Sequence, residues 1–109
     1  MKLVRDNERR SVLFPLRWHH PGCGDEPALA RDFSSGGVFL TPVGAGARAV
    51  HSGDPIWLGV DEESEPLSGT IRWHGWSNTH KRAGFGIEFD ERSKSAAEHL
   101  QERLRRVRF

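Results

Sequence analysis

Apolar residues alternate with polar ones along most of this chain, at the two-residue period of half-buried strands. From Ser11 the run Val12, Leu13, Phe14, Leu16 and Trp18 predicts a first strand, with Pro15 marking a bulge or an edge. His19 to Pro27, with Pro21, Gly22, Gly24 and Pro27, has the composition of a turn. Ala28 to Phe33 and Gly37 to Pro42 read as the second and third strands, and Gly44 to Ala47 as a loop leading to a weak segment around Val50. Ile56 to Val60 and Gly69 to Trp76 follow, the latter with Ile71 and Trp73 expected on one face and Thr70, Arg72 and His74 on the other. After a polar turn at Ser77 to Lys81, Ala83 to Phe89 places Phe85, Ile87 and Phe89 on a shared face.

Beyond Phe89 the period changes. Ser95 and Glu98 fit an S-x-x-E capping box, and Leu100, Leu104 and Val107 recur at helical spacing, predicting a C-terminal amphipathic helix over residues 93–108. Its last turns carry Arg103, Arg105, Arg106 and Arg108, where cations suit the helix dipole. Six or seven short strands and one helix predict a mostly β fold: a small antiparallel barrel or rolled sheet whose open side the helix covers.

With 109 residues the chain is expected to form one domain with one core, residues 11–109, preceded by a flexible arm at residues 1–10. It has no apolar run long enough to span a membrane and no secretory leader is visible at its charged start. The single cysteine leaves no internal disulfide framework, so the cytoplasm is the expected compartment. A net charge of +1 argues against bulk electrostatic attraction to nucleic acid, and no DNA or RNA partner is expected. The charge is unevenly spread. Residues 1–20 hold five basic and two acidic groups, while Asp61, Glu62, Glu63 and Glu65 form an acidic run read as a solvated hairpin loop.

The stretch Arg31-Asp32-Phe33-Ser34-Ser35-Gly36-Gly37 is the chemically distinctive one. In an extended backbone Asp32 and Ser34 would share a polar side, and the two glycines would let backbone N–H groups approach another molecule. The plainer reading of the same residues is an ordinary turn. Other constellations carry less. His19-His20-Pro21-Gly22-Cys23 lacks the spacing of a zinc-ligand pair, and no metal is expected. Gly44-Ala45-Gly46-Ala47-Arg48-Ala49 has neither the strand nor the helix that a dinucleotide loop requires. No nucleophile elbow supports a catalytic triad, so the chain is not expected to be an enzyme.

Arg5-Asp6-Asn7-Glu8-Arg9 is an R-x-x-x-R, and Asp32 to Gly37 is a D-x-S-x-x-G; the pair in this order resembles the signature of the PilZ domain, a bacterial six-stranded barrel that binds cyclic di-GMP. Gly69 to Trp73 and Gly84 to Phe89 resemble the last two strands of that family. The resemblance implies a split barrel and a non-catalytic receptor for this second messenger, acting through a protein partner and needing no cofactor. It implies a ligand site at Arg5, Arg9, Asp32, Ser34, Gly36 and Gly37, with Arg10 as an accessory contact. The chemistry is apt: arginine presents a planar pair of donors to phosphate or to the guanine O6 and N7 edge, and a carboxylate accepts from the guanine N–H edge. The alternative within the same fold is an adaptor that binds proteins and no nucleotide.

Overall fold

The computed structural model describes residues 10–22, 24–43, 50–61 and 64–106, and of these the side chains of 10–13, 24 and 104–106 are left aside. Arg5, Arg9, the Gly44–Ala47 loop and Val107 lie outside the described residues.

Six strands form a closed antiparallel barrel: β1 (Arg10–His20), β2 (Gly24–Phe33), β3 (Gly37–Pro42), β4 (Pro55–Gly59), β5 (Leu67–Ser77) and β6 (Arg82–Phe89). Their order around the wall is β1-β2-β3-β6-β5-β4. A single turn of 3-10 helix, Glu91–Ser93, leads into α1, Lys94–Arg106. The strands form for the reason the alternation gives. Every second residue points inward, and Phe14, Leu16, Trp18, Ala28, Ala30, Val38, Leu40, Ile56, Leu58, Ile71, Phe85, Ile87 and Phe89 fill the interior. Ala97 and Leu100 of α1 and Val50 join the same core, so the helix caps what the strands leave open.

Four sequence expectations change here. His19 to Pro27 is mostly strand, because β1 and β2 stay paired down to His20 and Gly24. Pro27 is tolerated because its carbonyl, which accepts the Val43 N–H at 3.2 Å, faces β3, so its missing donor faces that side too, just outside the β2–β3 ladder that ends at Ala28. The irregularity in β1 falls between Arg10 and Leu13, where three steps of β1 oppose two of β2, and not at Pro15. Pro15 meets the other half of that expectation, an edge: it lies exposed on the part of β1 that has no β4 partner, since that pairing covers only Arg17 to His19.

The third change is in β5. Its register slips between Ile71 and Trp73, so Ile71 faces the core while Trp73, opposite Gly86, lies on the outer wall. Last, Ser95 is not a helix cap. It is exposed inside the first turn of α1, and the chain enters the helix through the preceding 3-10 turn, whose Ser93 N–H donates to Asp90 O at 2.9 Å. Ser93 itself is buried and its Oγ accepts from Ser68 N–H at 2.9 Å, pinning the helix start to β5.

Candidate functional site

The Asp32–Gly37 segment sits on the outer wall where β2 turns into β3. Asp32 has φ +60°, a left-handed conformation that aspartate tolerates better than most residues. The backbone is therefore not extended at Asp32, and Asp32 and Ser34 do not line one polar face. Ser34 turns inward. It is 1% exposed, and its Oγ accepts from Gly36 N–H and Gly37 N–H at 3.1 and 3.3 Å, while Ser34 N–H donates to Gly37 O at 2.9 Å. The hydroxyl thus closes the turn on itself.

The glycines have distinct tasks. Gly36 O accepts from Phe89 N–H at 2.9 Å, tying the turn to β6. Gly37 pairs with Glu88, and a Cβ added there would run into the Ile87 carbonyl oxygen, so only glycine allows the strands to approach this closely. Arg10, opposite Phe33 in the β1–β2 register, opens β1 at the same corner of the barrel.

Beside the turn lies a set of aromatic residues that the sequence reading did not assign to the site. Phe39 points outward from β3 and stacks on His80 at 4.7 Å with ring planes 7° apart, and on Trp73 at 5.5 Å and 22°. Trp73 remains 41% exposed. Two glycines of β6 make room for these rings, since a Cβ on Gly86 would overlap the Trp73 indole and one on Gly84 would overlap the Phe39 ring and the Leu40 carbonyl. The signal was present as Gly84-x-Gly86: two glycines two apart clear one face of a strand, and a flat ring is what fills such a gap.

Trp73 stands between two clefts. One, of about 330 Å³, is lined by Ser34, Gly36, Arg72, Glu88 and Lys94. The smaller, about 160 Å³, is lined by Asp32, Phe39, Thr79 and His80. At its edge His80 Nε2 lies 3.6 Å from Asp32 Oδ2. On the opposite rim Arg72 Nε donates to Glu88 Oε1 in an exposed ion pair. Arg31, next to Asp32, bonds Thr41 Oγ1 at 3.3 Å, and burial together with the positive charge of Arg82 lowers its pKa from the ordinary arginine value. The site is therefore a shallow outer-wall surface offering a carboxylate, a flat aromatic rest and guanidinium groups. Those are the groups that recognise a planar, hydrogen-bonding anion.

The rest of the chemistry-bearing residues fall elsewhere. His20 is buried at one end of the barrel, where Nδ1 accepts from Gly22 N–H at 2.9 Å and Nε2 lies 2.8 Å from Asp54 Oδ2. That pattern puts the proton on Nε2 and makes His20 a staple between the β1–β2 turn and the loop before β4. No group of three metal-ligating side chains occurs among the described residues.

Comparison with known proteins agrees with the architecture. A solved structure described as Bacillus subtilis Inhibitor of motility (MotI/DgrA) superposes with a TM-score of 0.63 at 13% identity, covering 99% of this chain. The chain spans 55% of the length of that protein. No curated protein matches the chain. The PilZ domain family matches residues 3–106, almost the whole sequence, and the chain belongs to that family.

Proposed function

We propose that this protein is a non-catalytic receptor for cyclic di-GMP, which lies on the outer wall against the Asp32–Gly37 turn. Asp32 accepts from the N–H edge of a guanine, Gly36 and Gly37 let the ligand come near the backbone, and Ser34 holds the turn that presents them. Arg5, Arg9 and Arg10 close over the phosphates and the opposite guanine edge, so binding orders the leader at some cost in affinity. What supports this most is that the R-x-x-x-R runs directly into Arg10, whose register partner Phe33 lies between Asp32 and Ser34. On this reading the leader closes on the acid-hydroxyl-glycine turn from the corner where Arg10 opens β1. The receptor transmits the signal to a protein partner through the surface the ordered leader creates; for the resembling structure, the description inhibitor of motility names a regulatory role of this general kind.

Isothermal titration with cyclic di-GMP tests the reading. Saturable binding is expected, and Arg9→Ala and Asp32→Ala are each expected to weaken it about thirtyfold, the ~2 kcal/mol that follows from stranding a charged hydrogen-bond partner. Absence of binding by a folded wild-type protein would leave the nucleotide-free adaptor as the reading.

A further inference from the structure

A regular strand sends consecutive side chains to opposite faces, yet Arg72 and Trp73 both line the cleft of about 330 Å³ beside Gly36. The bulge in β5, where the register slips between Ile71 and Trp73, allows this. Bulges of this kind re-aim a side chain and are frequent next to functional sites. Here the side chain delivered beside the indole is a guanidinium.

Its engagement is partial. Arg72 uses Nε to donate to Glu88 Oε1, and both side chains remain more than half exposed. Among the described residues, Nη1 and Nη2 of Arg72 hold no hydrogen bond. Glu88 therefore grips the guanidinium from the side and leaves its two-pronged end unengaged beside the cleft. That end matches the O6 and N7 acceptors of a guanine, a pairing that the single ammonium of lysine does not reproduce. Resting on the proposed receptor function, we infer that Arg72 is a specificity-determining residue that reads the second guanine of cyclic di-GMP, with Glu88 as the positioning residue that sets its plane.

The pair of clefts makes the assignment specific. Trp73 and Gly86 line both, so the two lie on either side of one indole. The smaller is lined by Asp32, whose carboxylate suits the N–H edge of one guanine; the larger is lined by Arg72, whose fork suits the acceptor edge of the other. A cyclic dinucleotide carries two bases and needs two readers. At about 330 Å³ the larger cleft reaches the lower end of the range of small-molecule sites, which begins near 300 Å³. Glu88 brings a negative charge toward a dianion, but Arg72 offsets it, and Lys94 of α1 adds a cation to the same cleft. The competing assignment makes Arg72 a plain charge for the phosphates. Base identity would then not matter to it.

Titrations with cyclic di-GMP and with the hybrid cyclic GMP–AMP, which has the same ring and phosphates but one adenine, decide between the two. Adenine puts an N6 donor where guanine has O6, so it meets the Arg72 donors unfavourably. Wild type is expected to bind cyclic di-GMP about tenfold more tightly than the hybrid, the size of one good bidentate base contact. Arg72→Ala and Arg72→Lys are each expected to weaken cyclic di-GMP about tenfold and to leave the hybrid unchanged, because the hybrid already places its adenine there. Glu88→Ala is expected to lower the preference to about threefold, the loss an exposed ion pair supports. Removing that negative charge strengthens both ligands alike, so the ratio reports aim and not charge. Thermal melts check that each variant is folded. Equal binding of the two ligands by wild type, or equal weakening of both by either Arg72 variant, overturns the assignment of Arg72 and leaves the receptor function standing. An undiminished preference in Glu88→Ala overturns the positioning role. Failure of folded wild type to bind either ligand overturns the inference and the receptor function together.

Discussion

The glycines of β3 and β6 show how one missing methyl group can matter in two different ways. At Gly37 the obstacle to a side chain is the Ile87 carbonyl, which is backbone inside the β3–β6 ladder and cannot withdraw. At Gly86 the obstacle is the indole of Trp73, a half-exposed side chain on the outer wall that can swing into solvent. Gly37→Ala is therefore expected to cost about 3 kcal/mol, at the upper end for overpacking, and Gly86→Ala about 1 kcal/mol. Urea unfolding measures both. The cheaper variant should carry a second mark, a red-shifted Trp73 emission as the ring leaves Phe39. Equal costs would mean that Trp73 is held as firmly as the backbone.

Elements were legible in the sequence wherever one neighbour decided the outcome. Phe85, Ile87 and Phe89 face a single core and alternate without interruption, and the third strand and the helix were as plain for the same reason. The β1–β2 boundary was not, because Pro21, Gly22, Gly24 and Pro27 signal a turn while the pairing partner, which overrules them, lies elsewhere in the chain. Trp73 was misplaced because a bulge reverses every face beyond it and leaves no local trace. His80 escaped notice since its role depends on where a turn folds, whereas Asp32, Ser34 and Gly37 stand in one short motif. Residue type alone does not sort the tryptophans: of four, Trp18 alone is core, and Trp57, Trp73 and Trp76 are exposed.

The acidic run before β5, read as merely solvated, also serves an element. Asp61 accepts from Arg103 of α1 at 2.7 Å and from Ser64 N–H at 2.8 Å, and Arg103 reaches Ser64 Oγ at 2.6 Å, so the β4–β5 loop holds the helix. The hydrogen bonds from Arg103 and then Ser64 hold the Asp61 carboxyl at about 2. A carboxyl lowered on folding contributes stability that is fully present above the unfolded value near 4 and is lost as pH falls through the folded one. Asp54 is lowered too, by the hydrogen bond from His20 and then that from His51, and acts on the acid side in the same sense. Asp61→Asn is therefore expected to remove part of the fall in urea midpoint between pH 4 and pH 2, and Asp61→Asn with Asp54→Asn more of it. An unchanged acid slope in both would show that neither tie persists in solution.

At the scale of the whole molecule the barrel closes through unequal seams. β5 and β6 share eight register pairs, whereas β1 and β4 meet at three: Arg17 with Gly59, Trp18 with Leu58 and His19 with Trp57. Few backbone pairs define the place where a closed sheet opens first. What holds this seam is side-chain packing, with Trp18 and Leu58 both buried and Trp18 meeting Phe85 edge-on at 5.2 Å across the interior, and with the His20–Asp54 staple at its end. Amides of β4 are therefore expected to exchange with deuterium sooner than those of β6, by local opening without global unfolding. Leu58→Ala, a cavity costing about 3 kcal/mol, should widen the difference, because it weakens the packing that stands in for missing pairs. The candidate site lies on β2, β3, β5 and β6 with Arg10 at the start of β1, away from the Arg17–His19 pairs of the seam, so saturating cyclic di-GMP should protect residues 31–37 and 78–81 and leave β4 exchange unchanged. Protection that spread equally to β4 would show that the site and the seam open as one unit.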